Sequence, residues 1–171
     1  MTEMICAGFG GQGVLTAGML LIHAGMKQGK NVIFYPSYGS EMRGGTANCA
    51  IKISEKKIAS PVIRQADIVF TMNAPAIDKF ESMLKPGGLL LVNSSLVDAN
   101  RTYREDIRVV KAPVTDIAND LGNPRGANIA MIGVLAAATD LFDPEFLIAR
   151  INDYFEAGFV GGRFFPFCFK I

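Results

Sequence analysis

Met4-Ile5-Cys6-Ala7-Gly8-Phe9-Gly10-Gly11-Gln12-Gly13-Val14 carries a short apolar run into a glycine-rich turn, and the turn into a long apolar pattern over residues 14–26. The run reads as a first strand and the pattern as the helix that follows. Four glycines within six positions (Gly8, Gly10, Gly11 and Gly13) suit backbone that takes φ > 0 or approaches another group closely. A turn that opens a helix also leaves N–H groups free at the positive end of the helix dipole, an arrangement that favours an anion. The spacing fits G-x-G-x-x-G, in the strand–turn–helix context that the dinucleotide fingerprint needs.

Outward from this turn the chain alternates strand and helix. Strands are expected over 30–35 (stopped by Pro36), 46–54, 67–72, 89–92 and 107–112, from their β-branched and apolar content. Helical periods cover 74–84, 114–121, 127–141 and 144–155, the last with Asp143 capping ahead of Pro144 at the first helical position. Lys85-Pro86-Gly87-Gly88 reads as a turn. This alternation predicts an α/β protein: a Rossmann-like three-layer fold with a mostly parallel sheet and helices on both faces. With 171 residues and no internal repeat or linker, it is expected to be a single domain, 1–171. The helices at 14–26 and 127–141 are apolar nearly all round, which predicts burial on more than one side and a second subunit as cover.

Composition narrows the function classes. Half the residues are hydrophobic and 19% are charged, so disorder is excluded. A net charge of +1 gives no electrostatic footprint for nucleic acid. Cys6, Cys49 and Cys168 are far apart and form no C-x-x-C, so this chain alone builds neither a zinc knuckle nor an iron–sulfur cluster. Free thiols, no leader segment and no apolar stretch long enough for a bilayer predict a cytoplasmic protein without membrane association. No residue is expected to be catalytic and none to bind metal. His23 sits mid-helix among apolar neighbours and reads as a core or interface histidine, and Asp116 and Asp120 as a solvated helix edge.

The dinucleotide reading fails in its second half. A ribose-binding carboxylate belongs at the end of the second strand, where Val32-Ile33-Phe34-Tyr35-Pro36 offers none. A Walker motif is absent too, because no Gly-Lys-Ser/Thr follows the turn. Tight packing of helix on strand is the simpler use of the glycines. Beside the turn, Tyr38-Gly39-Ser40-Glu41-Met42-Arg43-Gly44-Gly45 sets an aromatic ring, a carboxylate and a guanidinium in one loop after a strand. Arg43 there suits a phosphate or carboxylate, or an internal contact with Glu41. Asn128, after Gly126-Ala127 at a helix start, is explained first as a cap.

These segments together carry a family resemblance. Gly8 to Val14, Pro36-Ser37 with the Tyr38 to Gly45 loop, Thr46-Ala47-Asn48, Ser60-Pro61, Met72-Asn73, Lys85-Pro86-Gly87-Gly88 and Gly126-Ala127-Asn128 resemble the gamma subunit of 2-oxoacid:ferredoxin oxidoreductases, over about residues 4–155. The Ser-Tyr-Gly-x-Glu-Met-Arg-Gly-Gly form is most similar to the 2-oxoglutarate or 2-ketoisovalerate type. The resemblance implies a subunit, inactive alone, of a complex that decarboxylates a 2-oxoacid on thiamine diphosphate with Mg²⁺. Such a complex passes electrons through iron–sulfur clusters to ferredoxin and transfers the acyl group to coenzyme A. It further implies alpha and beta partners and a ferredoxin-like delta subunit, which hold the thiamine and cluster sites, so that none of these cofactors is bound by this chain alone. The isolated chain is open to homodimer formation. Gly8, Gly10, Gly11, Gln12, Gly13, Tyr38, Glu41, Arg43, Gly44 and Asn128 are the candidate residues for coenzyme A. A free-standing nucleotide-binding protein and a ligand-free interaction module are the competing readings.

The match lapses at the end of the chain. From about residue 156 the sequence is atypical, and Phe164, Phe165, Phe167 and Phe169 are too apolar to stay in water. Packing on the domain's own core or on a partner is the expectation for this tail.

Overall fold

A computed structural model describes residues 1–37 and 46–156. Six strands form one sheet: β1 (Thr2–Phe9), β2 (Asn31–Ser37), β3 (Thr46–Ser54), β4 (Ala66–Thr71), β5 (Leu84–Asn93) and β6 (Arg108–Ala112). The helices are α1 (Val14–Lys27), α2 (Ala74–Phe80), α3 (Val114–Asp120), α4 (Ala127–Ala138) and α5 (Pro144–Tyr154). The sheet order is β2-β3-β1-β4-β5-β6. Strands β1, β4, β5 and β6 pair in parallel, whereas β3 runs antiparallel to both β1 and β2. The sheet is therefore mixed, and the largely parallel arrangement expected from the alternation of elements is interrupted at β3. The physical reason lies in the connection. Only residues 38–45 separate β2 from β3, too few for a parallel crossover, which needs a dozen or more.

Alternate residues of the central strands feed two apolar clusters. Met4 and Cys6 of β1, Ile68 and Phe70 of β4, and Leu89 and Leu91 of β5 join residues of α1, α3, α4 and α5 in the larger cluster. Ile5, Ala7, Val69, Leu90 and Val92 join Ala76, Ile77 and Phe80 of α2 in the smaller one. Helix α4 is buried from Ala127 to Ala136, and its cover comes from the chain itself: β5, β6, α1, α3 and α5 all pack on it. Its all-round apolarity needs no second subunit, which corrects the sequence expectation. Helix α1 is buried on most of its surface but leaves Met19 and Met26 exposed.

Two local features differ from the sequence reading. Lys85-Pro86-Gly87-Gly88 is not a free turn but an irregularity inside β5, where two steps along β4 (Ala66 to Ile68) face five along β5 (Leu84 to Leu89). Gly87 takes φ 76° there and its N–H donates to the Asp106 carbonyl. The second helix stops at Phe80, continues as one 3₁₀ turn over Glu81–Met83, and leads directly into β5. The predicted start of α5 is observed, with Asp143 Oδ1 accepting from the Phe146 N–H at 2.9 Å and Pro144 at the first position. Among the described residues no helix is long and apolar enough to cross a membrane.

The amino edge of the sheet is pinned by charge. Glu3 of β1 receives Lys52 Nζ of β3 at 2.8 Å and Lys85 Nζ of β5 at 3.2 Å, and Lys85 also meets Asp67 of β4 at 2.7 Å. Asp67 Oδ2 accepts from the Glu3 backbone N–H. Lys52, only 5% exposed, spends a further N–H on the Val62 carbonyl. Burial pushes the Glu3 carboxyl up, but the hydrogen bonds from Lys52 and Lys85 outweigh it and hold the group below the usual carboxylate range. The Asp67 hydrogen bond, aided by Glu3, pushes the Lys85 ammonium up against its desolvation. This network sits at the end of the sheet opposite the glycine turn.

Candidate functional site

The glycine turn leaves the carboxyl end of β1, beside β3 on one side and β4 on the other. Its shape follows from three constraints. The Gln12 N–H donates to the Phe9 carbonyl at 3.1 Å, closing the turn. Gly11 and Gly13 both take positive φ, 100° and 71°, a region that L side chains rarely adopt. A Cβ at Gly8 would lie 2.8 Å from Gln12 Oε1 and 2.9 Å from both Met72 Cβ and Val14 Cγ1. The glycines therefore serve conformation and close approach together.

Gln12 is the hub. Its Oε1 accepts from the Phe9 N–H at 2.7 Å and from Asn73 Nδ2 at 2.8 Å, and its Nε2 donates to the Met72 carbonyl at 3.3 Å. Asn73 in turn caps α2, its Oδ1 accepting from the Ala76 N–H at 2.9 Å. The Met72 carbonyl also receives Asn93 Nδ2, which donates in addition to Thr115 Oγ1 at 2.8 Å. A belt of carboxamides thus runs along the carboxyl edge of β1, β4 and β5 and ties the turn to the starts of α2 and α3. Asn93 is fully buried, and its Oδ1 has no hydrogen-bond partner among the described residues.

On the other side, Asn128 Nδ2 donates to the Gly13 carbonyl at 3.0 Å. That carbonyl also accepts the first helical bond of α1, from the Ala17 N–H. Asn128 does not cap its own helix: Gly126 occupies the cap position of α4, and the Asn128 amide reaches across to α1 instead. The starts of α1 and α4 are joined through one carbonyl. Gly13 itself is the N-cap of α1 and brings no side chain to it, so the first N–H groups of α1 lack the usual Ser, Thr, Asp or Asn acceptor. Gly10 and Gly11 are exposed at the tip of the turn.

The structure thus brings together Gly8, Gly10, Gly11, Gln12, Gly13 and Asn128. Tyr38, Glu41, Arg43 and Gly44 lie outside the described residues, although the flanking Ser37 and Thr46 end on this same sheet edge, with Thr46 opposite Phe9. Asn73, Asn93 and Thr115 were missed as site residues. Asn73 carried a usable signal, a helix cap just before Ala74-Pro75; Asn93, the polar end of the apolar run at 89–92, carried a fainter one. Among the described residues no three His, Cys, Asp or Glu side chains gather to hold a metal ion.

This arrangement can be set beside known proteins. The profile of the pyruvate ferredoxin/flavodoxin oxidoreductase family matches residues 3–160. The chain belongs to this family. Within it, the chain is 38% identical over 131 residues to ketoisovalerate oxidoreductase subunit VorA of Methanothermobacter marburgensis. That alignment takes in 77% of the chain but only 27% of the relative, so the chain spans about a quarter of the length of VorA. It is 34% identical over 158 residues to 2-oxoglutarate synthase subunit KorC of Methanocaldococcus jannaschii, with 91% of the chain and 84% of KorC covered. In structure it is similar to the gamma subunit of keto/oxoacid ferredoxin oxidoreductase from Geobacter sulfurreducens. There the TM-score is 0.76 at 29% identity, over 90% of this chain and 86% of that one.

Proposed function

We propose that the chain is the gamma-type subunit of a cytoplasmic, multi-subunit 2-oxoacid:ferredoxin oxidoreductase that oxidatively decarboxylates a 2-oxoacid, 2-oxoglutarate foremost, to its acyl-coenzyme A. The observation that carries this reading is the family match across residues 3–160. Similarity to KorC over most of both chains favours 2-oxoglutarate; similarity to VorA keeps 2-ketoisovalerate as the second substrate. Thiamine diphosphate, Mg²⁺ and the iron–sulfur clusters are assigned to the alpha, beta and delta partners, and this chain contributes no catalytic residue. Two alternating apolar clusters, one fed by α1, α3, α4 and α5 and the other by α2, support a Rossmann-like three-layer reading of the fold.

For this chain's own part, the glycine turn receives a phosphate of coenzyme A. Gly10 and Gly11 present backbone at the exposed tip, and the free N–H groups of α1 follow directly behind Gly13. Gln12 and Asn128 act on the ligand through the backbone they fix, and Gly8 allows the turn to lie on β4. Arg43, from the Tyr38-to-Gly45 stretch of sequence that also carries Glu41 and Gly44, is assigned as the cation. The test is a coenzyme A titration of the assembled complex. Arg43→Ala and Gly11→Val should each weaken coenzyme A at least tenfold while subunit composition, checked by size exclusion, stays intact. Unchanged affinity in intact complexes of both variants would remove the phosphate role.

A further inference from the structure

Beneath α1, Cys6 of β1 and Cys49 of β3 stand directly opposite each other in the antiparallel register. Both are fully buried in the larger apolar cluster, so their side chains share the face of the sheet that α1 covers. Opposed residues in such a pair have Cα atoms about 4.5–5.5 Å apart, within the span of about 4.4–6.8 Å that a disulfide bridges. The sulfurs have little room to separate. A Cβ on Gly18 of α1 would come within 2.6 Å of Cys49 Sγ, so the helix backbone lies on that sulfur. We propose that Cys6 and Cys49 are an oxidisable dithiol, closing to a disulfide between β1 and β3 when the protein meets a peroxide.

The chemistry balances with hydrogen peroxide as the oxidant. One sulfur attacks the O–O bond, giving a sulfenic acid and one water; the second sulfur then displaces the hydroxyl as a second water and forms the S–S bond. The two thiols lose two hydrogens and two electrons, and the peroxide is reduced. A small uncharged oxidant suits a pair that α1 closes off from bulky thiols, and burial makes the reaction slow. Its consequence reaches the glycine turn. Cys49 Sγ donates to the Val14 carbonyl at 3.7 Å, in the first residue of α1. Closing the disulfide removes that donor and fixes the β1–β3 register directly behind Gly13. A pair of cysteines chosen only as small apolar fillers is the opposing account.

The experiment uses the full chain carrying Cys168→Ser, so that the tail thiol takes no part. The protein is treated with hydrogen peroxide, unfolded, alkylated with iodoacetamide and analysed by mass spectrometry without reductant. The expected result is joint loss of both alkylation sites, a chain lighter by two hydrogens, and a linked pair of peptides containing Cys6 and Cys49. Dithiothreitol should restore both sites. Adding Cys49→Ser should abolish the loss of hydrogens, and adding Cys6→Ala should do the same, so failure of one variant to fold leaves the other. Both thiols remaining alkylatable after prolonged peroxide treatment, far beyond the time that fully oxidises an exposed reference thiol and with the fold retained, would overturn the proposal. So would separate sulfinic acids without a link, or a bridge between two chains.

Discussion

At the scale of single residues, the candidate site is held by a few groups whose removal has ranked costs. Gln12→Ala strands the Phe9 N–H, the Asn73 amide and one interaction of the Met72 carbonyl, and is expected to destabilise by about 2–3 kcal/mol. Asn128→Ala leaves the Gly13 carbonyl with its Ala17 partner, so its cost is about 0.5–1.5 kcal/mol. Urea denaturation of the two variants should give that order, and the reverse order would contradict the hub role of Gln12. Gly8→Ala drives a methyl into Gln12, Met72 and Val14 at once and is expected to cost about 1–3 kcal/mol, read as a lowered thermal midpoint. At this scale the sequence was partly legible. The glycines announced a turn, because few other residues take φ > 0. The Gln12–Asn73–Asn93–Thr115 belt stayed hidden, because polar residues from four distant segments meet only once β1, β4 and β5 are in register and α3 follows β6.

Among elements, β3 shows where reading a chain locally succeeds and where it does not. Residues 46–54 are recognisable as a strand by their alternation, and the observed bounds agree. Direction and neighbours are not local properties. They follow from the short β2–β3 connection and from β1 being the strand that both β3 and β4 need as partner. The irregularity in β5 is similar: Pro86-Gly87-Gly88 signals broken regularity, but only pairing with β4 makes it part of a strand. The ion-pair network that joins β1, β3, β4 and β5 yields a pH prediction. Glu3 has a folded-state pKa below its usual value, so the stability it adds is full above the unfolded carboxyl pKa and is lost as pH falls through the lower, folded one. Acid unfolding of the wild-type chain should therefore include a step below the usual carboxylate range that Glu3→Gln flattens. Glu3→Ala, which leaves the nearly buried Lys52 without its carboxylate, should cost about 3–5 kcal/mol at neutral pH. Equal acid profiles for wild type and Glu3→Gln would remove Glu3 from that role.

Over the whole molecule, the chain is half hydrophobic, and among the described residues its apolar side chains gather largely into two internal clusters. Helix α4 is the clearest case, packed by sheet and helices of its own chain, and Leu135→Ala at its fully buried face is expected to cost about 2–5 kcal/mol. The surface it leaves for partners is accordingly more selective than the composition implies, with Met19, Met26 and Tyr35 among the exposed apolar groups. Family membership was legible from motifs spread along the chain, several of which mark a close approach, a cap or a positive φ in the fold, as at Gly8, Asn73 and Gly87. The proposed function is a property of an assembly, and its central test is made there. A tag on this chain, purified anaerobically from its native cells, should bring down companion subunits with iron–sulfur absorbance, and the eluate should oxidise 2-oxoglutarate only when coenzyme A and a low-potential electron acceptor are both present. Elution of the chain alone, or with companions that turn over no 2-oxoacid under those conditions, would contradict the account.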